Sequence, residues 1–313
     1  MIRDTLAVLA LVALAPVALA ASDTDYDLDT PTGTIRGTLR LPDTPGPHSV
    51  ALVVAGSGPT DRDGNQPRFR SDSYRLLAQS LAAEGAASVR YDKRGIAASR
   101  PAGPAEKDLR FDIYVDDVVA WVDRLRRDRR FSRVAILGHS EGSTLAALAA
   151  GRSRVDAVVS IAGIASRPSD LLRTQLRPKL PPDLYAKAER ILGAIEKGED
   201  PGEVPPELAA LFRPSVQPYL ASWFRHSPAA AYARVEAPIL ILQGDADIQV
   251  SVAEAQALKA AAPKAVLEVI PRMSHMLKAV TDDPASQMKG YTDPSVPIVP
   301  AIAPRIAKFI AAP

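Results

Sequence analysis

The stretch ILGHSEGSTLAALAAG, residues Ile136 to Gly151, joins an apolar run to an alanine-rich run through the pentapeptide GHSEG, Gly138 to Gly142. The first run is typical of a buried strand and the second of a helix. A serine between two glycines at such a junction predicts a sharp turn, because small flanking residues let strand and helix pack closely. The following helix would direct free N–H groups and a partial positive charge toward Ser140. The alternative is a glycine-rich turn in which Ser140 only caps the helix.

Strand-like and helix-like segments alternate on both sides of this junction. The predicted strands are Ser49–Gly56, Ala87–Asp92, Arg133–Gly138, Val155–Gly163, Ala237–Gly244 and Ala265–Ile270, and Gly33–Leu41 is predicted to be part of a β-hairpin. The predicted helices are Ser73–Glu84, Asp108–Arg127, Ser140–Ala150, Val252–Ala261 and Pro300–Ala311. This alternation predicts an α/β fold with a mainly parallel sheet and helices on both faces. Ligands of such sheets bind beyond the carboxyl ends of the strands.

One segment interrupts the alternation. Residues 166–234 contain amphipathic helical pieces, Asp183–Lys197 and Glu207–Phe212, and many prolines, with no strand pattern. We therefore predict a core made of residues 21–165 and 235–313, and a helical insertion, residues 166–234, that folds over the strand ends as a lid.

The first residues have the pattern of an export signal. An apolar run from Leu6 to Ala21 contains Pro16 and ends in small residues before Ser22-Asp23. This pattern predicts a signal peptide over residues 1–20, with cleavage after Ala20 or, as second choice, after Ala21, and a periplasmic or secreted protein. A membrane anchor is the alternative, but the run is shorter than the roughly 18–20 residues that a spanning helix needs.

The composition excludes several classes of protein. The chain has 313 residues, 47% of them hydrophobic, which suffices for a sizeable core. Its formal net charge is only +2, without a dense basic block, so nucleic acid is not an expected partner. The absence of cysteine excludes disulfides, thiolate metal sites and a cysteine nucleophile.

A nucleophilic serine requires a base, and the chain has four histidines from which to choose. His139 adjoins Ser140 and would point elsewhere, His48 precedes a strand at the wrong end of the sheet, and His226 lies in the insertion. His275 follows the strand Ala265–Ile270 at the carboxyl edge. His275 is therefore the predicted base.

The acid that orients this histidine should follow the strand Ala237–Gly244, where the loop QGDADIQV offers Asp245 and Asp247. We predict that Asp247 reaches the imidazole and that Asp245 shapes the turn. The chain order Ser140, Asp247, His275 is the order expected for this fold.

Two backbone amides are predicted to form an oxyanion hole. One belongs to Glu141, directly after the nucleophile, and the other to Ser57, with Gly58 as second choice, in the loop AGSGPTDRDGN. Glycines there permit close approach of the backbone. Residues 61–63 are predicted to brace this loop by ion pairs, with substrate contact as the alternative.

Four residues of the insertion are candidates for lining an acyl pocket, and packing within the lid is an equal alternative for each. These residues are Gln217, Tyr219, Trp223 and Phe224.

Taken together, several motifs resemble the α/β-hydrolase superfamily, and within it a bacterial branch of esterase and serine-aminopeptidase-like hydrolases. The motifs are GSGPTDRDGN (Gly56–Asn65), RYDKRGIAAS (Arg90–Ser99), GHSEG (Gly138–Gly142), GDADIQV (Gly244–Val250) and MSHMLK (Met273–Lys278), with further similarity at Leu211–Phe224 and Gly290–Pro300. Ala97 departs from the pattern, which usually has a glycine there.

The resemblance implies hydrolysis of small-molecule carboxylic esters through an acyl-serine intermediate, without metal or cofactor. Short acyl chains are expected. After signal cleavage, the protein is expected to have no stable membrane span. The oligomeric state is left open. A peptidase or amidase on the same triad is one alternative, for which Glu141 or Arg94 could bind a peptide terminus. A non-catalytic binding protein with this fold is the other.

Overall fold

The computed structural model describes residues 22–313, and within them an eight-stranded sheet forms the centre of the molecule. The strands are β1 (Asp23–Asp25), β2 (Leu28–Thr30), β3 (Gly33–Ile35), β4 (Gly37–Arg40), β5 (His48–Val54), β6 (Ala87–Tyr91), β7 (Phe131–His139), β8 (Ala157–Ile161), β9 (Ile239–Gly244) and β10 (Val266–Ile270). Eight of these strands form the central sheet, in the order β1-β4-β6-β5-β7-β8-β9-β10, and β2 and β3 form a separate two-stranded sheet. The six strands from β6 to β10 are parallel, and β4 and β1 add an antiparallel edge. The predicted signal segment, residues 1–20, lies outside the described residues and stays a prediction.

Helices connect the parallel strands and cover both faces of the sheet. They are α1 (Ser73–Ala83), α2 (Phe111–Arg127), α3 (Glu141–Ala150), α4 (Pro168–Leu176), α5 (Pro182–Lys197), α6 (Ala209–Phe212), α7 (Gln217–Phe224), α8 (Pro228–Tyr232), α9 (Val252–Ala261), α10 (Pro284–Thr292) and α11 (Ile302–Ala311). The predicted α/β fold is confirmed.

Strand β5 shows how the sheet divides the core into two layers. Its residues Val50, Leu52 and Val54 pack in the layer that includes α2, α3 and α9. The alternate residues, Ala51 and Val53, pack in the layer that includes α1 and α11. Successive side chains of a strand point to opposite faces, so a strand buried on both faces must be apolar throughout.

The predicted elements are found with small shifts at their ends, and a few details differ. The helix predicted from Asp108 begins at Phe111, after a separate 3₁₀ turn at Glu106–Asp108. The predicted hairpin Gly33–Leu41 is split, since β3 pairs with β2 whereas β4 joins the main sheet. Helix α10 has no counterpart in the sequence predictions, and within the insertion α4, α7 and α8 were not predicted individually.

The structure describes all of residues 166–234, and this segment contains α4 to α8 but no strand. Both ends of this segment are fixed to the core. At its start, the Glu254 carboxylate on α9 accepts hydrogen bonds from the amides of Ala165 and Ser166 at 2.7 and 2.9 Å. At its end, the Tyr232 hydroxyl lies 2.7 Å from the Ser143 hydroxyl on α3. We retain the boundaries of the insertion as a proposal.

Within residues 22–313, no helix combines the length and apolar character required to cross a bilayer.

Candidate active site

Ser140 occupies the turn between β7 and α3 in a strained backbone conformation. Its φ of 54° and ψ of −120° fall outside the regions that residues with a side chain normally adopt. Two hydrogen bonds hold the turn, from the Ser140 amide to the Ile161 carbonyl at 2.9 Å and from the Ser143 amide to the Ser140 carbonyl at 3.0 Å. The half-buried side chain is thereby presented at the carboxyl edge of the sheet.

The two glycines of GHSEG are required because backbone atoms lie where a Cβ would be. A Cβ on Gly138 would lie 2.2 Å from the Gly142 carbonyl oxygen, and a Cβ on Gly142 would lie 2.2 Å from the Val54 carbonyl oxygen. Neither contact can be relieved by turning a side chain. The spacing around Ser140 therefore reflects the close approach of α3 to β5 and β7.

His275 and Asp247 form a buried pair beside this turn. The Nδ1 of His275 lies 2.8 Å from Asp247 Oδ2, and the two side chains are only 5% and 1% exposed. The other oxygen of Asp247 accepts the amides of Gln249 and Val250 at 2.7 and 2.9 Å. Burial raises the pKa of Asp247, but the His275 interaction and these hydrogen bonds outweigh it and hold that pKa below its usual value.

Asp245, the other candidate acid, has a different partner. Its Oδ1 accepts the amide of Arg272 at 2.5 Å, joining the turn after β9 to the turn after β10. The Asp247 carboxylate therefore contacts the imidazole of His275, whereas the Asp245 carboxylate contacts the backbone of a turn.

His139 is fully occupied by hydrogen bonds of its own. Its Nε2 lies 2.8 Å from the His275 carbonyl oxygen, which can only accept, so Nε2 carries the proton. Its Nδ1 then accepts the Tyr74 hydroxyl at 2.8 Å. Burial, followed by the proximity of His275, lowers the pKa of His139 to about 3. His139 is therefore a neutral support for the loop that carries His275.

The two remaining histidines lie away from Ser140. His48 opens β5 beside Phe131, at the amino end of the parallel strands. His226 Nε2 lies 3.1 Å from Asp112 Oδ1 on α2.

The residues predicted to supply oxyanion-hole amides lie on either side of Ser140. Glu141 begins α3, and Ser57 follows β5; together with Ser140, both line one cavity. No hydrogen-bond acceptor for either amide is found within residues 22–313. Gly56 brings the two loops together, since a Cβ there would lie 3.2 Å from the Ser140 Cβ.

Ion pairs brace the loop that carries Ser57. The Arg62 guanidinium and amide donate to the Asp92 carboxylate at 2.8 and 2.7 Å. Asp63 accepts from Arg90 at 3.2 Å, and Asp61 accepts the amides of residues 63 and 65 at 2.9 and 2.8 Å. These contacts fit the bracing role predicted for residues 61–63.

Two cavities meet at Ser140. The smaller, about 340 Å³, is lined by His275 and by residues such as Gln66, Phe69 and Tyr291. The larger, about 540 Å³, extends beneath the insertion and is mainly apolar. Ser57, Gly58, Ser140 and Gln249 line both.

The candidate pocket residues of α7 divide by their position on the helix. Tyr219 and Trp223 line the larger cavity. Gln217 and Phe224 do not line it, which fits the equal alternative for these two residues, packing within the insertion. The lining residues of α7 and its N-cap are Val216, Tyr219, Leu220 and Trp223, which form one face of the helix, and positions 217 and 224 lie beside that face. The Gln217 amide instead donates to the Phe212 carbonyl at 2.8 Å.

Three residues around the site lie in stretches whose sequence pattern predicted no role for them. Tyr74 accepts the Gly56 amide at 3.2 Å, Gln249 lines both cavities, and Lys93 lies beneath the Ser57 loop. Lys93 stands in the quoted motif RYDKRGIAAS, but only the pairing of β5 with β6 shows which backbone it reaches. In the same motif Ala97 has a φ of 41°, which explains why a glycine suits that position.

A parallel sheet with its strained serine turn, and a histidine–carboxylate pair at the same edge, are the features of an α/β hydrolase. The chain has the fold of the α/β hydrolases and is similar in sequence to members of that superfamily. A family model described as serine aminopeptidase, S33, matches residues 70–196.

Individual relatives agree with this assignment. Esterase EstD of Thermotoga maritima is 29% identical over 217 residues, which cover 69% of this chain and 51% of EstD, so the chain spans about half the length of this relative. The solved structure of Est1E from Butyrivibrio proteoclasticus matches with a TM-score of 0.56 and 18% identity, over 80% of this chain and 90% of that one. Dienelactone hydrolase from Anabaena variabilis matches with a TM-score of 0.53 and 19% identity, over 92% and 96%. The two structural matches show the fold.

Proposed function

We propose that the protein is a serine hydrolase of carboxylic esters, with Ser140 as nucleophile, His275 as base and Asp247 as the acid that orients it. The observation that carries this proposal is the hydrogen bond of 2.8 Å between His275 and Asp247, beside a serine held in a strained turn on the same cavity. The name of the relative EstD supports an ester as substrate.

The acylation step uses these groups in a defined order. Ser140 Oγ attacks the ester carbonyl carbon while His275 Nε2 takes the hydroxyl proton, and the Asp247 carboxylate stabilises the resulting imidazolium. The amides of Ser57 and Glu141 donate to the oxyanion. His275 then gives its proton to the leaving alcohol oxygen as the carbon–oxygen bond breaks.

Deacylation repeats the sequence with water. His275 takes a proton from the water molecule as it attacks the acyl-enzyme carbonyl carbon. The acid product leaves when His275 returns that proton to Ser140 Oγ, which restores the free enzyme.

The position of His275 distinguishes the two sides of the ester. Because His275 must protonate the leaving alcohol, that group belongs in the smaller cavity, which His275 lines. The acyl group then occupies the larger, apolar cavity beneath the insertion. The short acyl chains expected from the sequence fit there, and the volume also accommodates longer or aromatic acyl groups.

Substitution of the nucleophile tests the proposal directly. Ser140→Ala should lower kcat for p-nitrophenyl acetate and butyrate by roughly 10⁴–10⁶-fold, as in other serine hydrolases. Ser143→Ala, three residues along α3 and outside the site, is the matched control and should keep most activity. Turnover that survives Ser140→Ala would contradict the mechanism.

A panel of p-nitrophenyl esters from acetyl to dodecanoyl tests the assignment of the acyl side. We expect activity to persist from acetyl to about octanoyl, because roughly 540 Å³ of apolar space is open to the chain. Activity restricted to acetyl esters would show that the larger cavity does not receive the acyl group.

Amide hydrolysis is the second candidate, favoured by the description of the matching family model. Arg94 is not available to bind a peptide terminus, because its guanidinium is buried against Asp117, Thr30 and the Ala102 carbonyl. A comparison of aminoacyl-p-nitroanilides with p-nitrophenyl esters separates the two activities. Higher kcat/KM on the anilides would favour the peptidase.

A further inference from the structure

Lys93 is a buried lysine whose ammonium group donates to a backbone carbonyl next to Ser57. Its side chain is only 2% exposed, and its Nζ donates to the Gly56 carbonyl at 2.6 Å and to Glu141 Oε1 at 3.2 Å. The Tyr114 ring lies below the ammonium, 5.1 Å away. Lys93 follows β6, and Gly56 follows the neighbouring parallel strand β5, so the two loops meet at one edge of the sheet.

The carbonyl that Lys93 binds belongs to the same peptide group as the Ser57 amide. A trans peptide group is planar, and its C=O and N–H point in opposite directions. A lysine that fixes the Gly56 carbonyl therefore fixes the direction of the Ser57 N–H. The positive charge also polarises this peptide group, which makes the amide a stronger donor to an oxyanion.

Glu141 connects this lysine to the second amide. Its backbone N–H is the other proposed oxyanion donor, and its carboxylate holds Lys93 in place. The side chain is 1% exposed, and Oε2 has no hydrogen-bond partner within the described residues. One ion pair thus joins the loop of Ser57 to the first residue of α3.

We propose that Lys93 is a positioning residue that holds the Gly56–Ser57 peptide group, and that Glu141 holds Lys93, so that both oxyanion donors are preorganised. This inference rests on the proposed ester hydrolysis and goes beyond it, since it assigns a role to two side chains that do not touch the reacting atoms. Stability alone is a weak reason for such a pair, because apolar residues of similar volume often replace a buried ion pair without loss.

Removing the charges of Lys93 and Glu141 together distinguishes an effect on the oxyanion donors from an effect on folding stability. In Lys93→Met/Glu141→Leu, no buried charge is left unpaired, and the Glu141 position keeps its backbone amide. We expect a thermal midpoint close to that of the wild type. The kcat for p-nitrophenyl butyrate should fall about 10–100-fold with KM within about threefold, a partial form of the 10²–10³-fold loss seen when an oxyanion donor is removed.

A second buried pair provides the matched control. Arg94 and Asp117 are adjacent to this region and buried to a similar degree, but Arg94 donates to Thr30 and the Ala102 carbonyl rather than to the Ser57 loop. Arg94→Met/Asp117→Leu should leave kcat within about threefold. An equal loss of kcat in both double variants would show a general effect of removing buried charge, and would overturn the proposal.

A boronic acid gives a readout that a structural role would not change. The tetrahedral adduct of phenylboronic acid with Ser140 places an oxygen in the oxyanion hole, whereas an alcohol product such as benzyl alcohol has no acyl oxygen to place there. We expect the lysine variant to weaken inhibition by the boronic acid about 10–100-fold and inhibition by the product less than threefold. Equal weakening of both would contradict positioning.

Lys93→Met alone is the second variant if the double variant does not fold. It removes the same donor, so it should show the same loss of kcat together with reduced stability. Either variant, once folded, overturns the inference if its kcat stays within threefold of the wild type. If instead the wild type shows no turnover above Ser140→Ala, the proposed function itself fails, and this inference fails with it.

Discussion

At the scale of single residues, the loop after β9 gives different partners to two carboxylates that are only two positions apart, Asp245 and Asp247. Asp247 accepts two backbone amides on one oxygen and faces His275 with the other. Asp245 accepts the Arg272 amide and does not face the imidazole. The same residue type therefore has a catalytic geometry in one position and a turn-forming geometry in the other.

Substitution of each aspartate should show this division. Asp247→Asn should lower kcat by roughly 10⁴-fold, since an amide no longer fixes the tautomer of the imidazole or stabilises its positive charge. Asp245→Asn should cost less than about tenfold. Steady-state kinetics on p-nitrophenyl butyrate measure both, and a larger loss at Asp245 would reverse the assignment.

His139 should make folding stability depend on pH. Its pKa is about 3 in the folded protein and about 6.5 when unfolded, so only the unfolded chain binds this proton between those values. The contribution to stability is therefore complete above pH 6.5 and is lost as the pH falls toward 3. The loss approaches about 1.4 kcal/mol per pH unit.

Urea unfolding at pH 7, 6 and 5 measures this effect. The free energy of unfolding of the wild type should fall more steeply than that of His139→Gln, which has no proton to gain. Identical slopes for the wild type and His139→Gln would show that His139 does not carry the effect.

At the scale of elements, helix α3 can pack close to β5 because Gly142 in its first turn has no side chain. A Cβ on Gly142 would overlap the Val54 carbonyl oxygen of β5 at 2.2 Å. A Cβ on Gly151, at the other end, would lie 3.5 Å from its nearest neighbour, the Leu148 carbonyl oxygen, which is an ordinary contact. The glycine in the first turn of α3 and the glycine that follows its last residue therefore differ in what an added side chain would cost.

Alanine at each glycine tests this difference. Gly142→Ala should destabilise the protein by about 2–4 kcal/mol and strongly reduce activity, because α3 and with it Ser140 must shift. Gly151→Ala, in an ordinary helical conformation with φ −74°, should be neutral or stabilising by up to about 1 kcal/mol. Thermal unfolding and labelling of Ser140 by a fluorophosphonate provide the measurements, and similar behaviour of both variants would refute the packing argument.

The elements differed in how well the sequence predicted them. Helix α9 was predicted with its observed ends, and β5, β7 and β9 with small shifts, since long apolar runs leave few alternatives. Helix α10 was missed because Pro284–Thr292 is polar and contains a glycine. A local signal was present nonetheless: Asp283 caps this helix by accepting the Ser286 amide at 3.1 Å, directly before a proline.

At the scale of the whole molecule, the larger cavity is lined both by residues of the segment 166–234 and by residues of the rest of the chain. Its walls come from separate segments, including Ile164 after β8, Leu172 on α4 and Trp223 on α7. The volume that we propose for the acyl group is therefore set by how residues 166–234 pack on the rest of the chain.

Filling this cavity from the insertion side should change selectivity for the acyl group. Leu172→Trp should reduce kcat/KM for the octanoyl ester at least tenfold relative to the acetyl ester, because the larger side chain occupies the space. Leu184→Trp on α5, outside the cavity lining, is the matched control and should leave that ratio unchanged. An unchanged ratio in Leu172→Trp would place the acyl group elsewhere.

The sequence by itself determined the class of fold, and it pointed to the three residues of the candidate triad, whose catalytic roles stay a prediction. It could do so because strand periodicity, the glycines around Ser140 and the position of each loop relative to a strand are local properties. Tertiary structure decided the rest. Which face of α7 borders the cavity depends on how the helix docks, and the reach of Lys93 to Gly56 depends on which strands are neighbours. Residues 56, 93 and 141 are far apart in the chain, and only the parallel pairing of β6, β5 and β7 brings their loops to one edge.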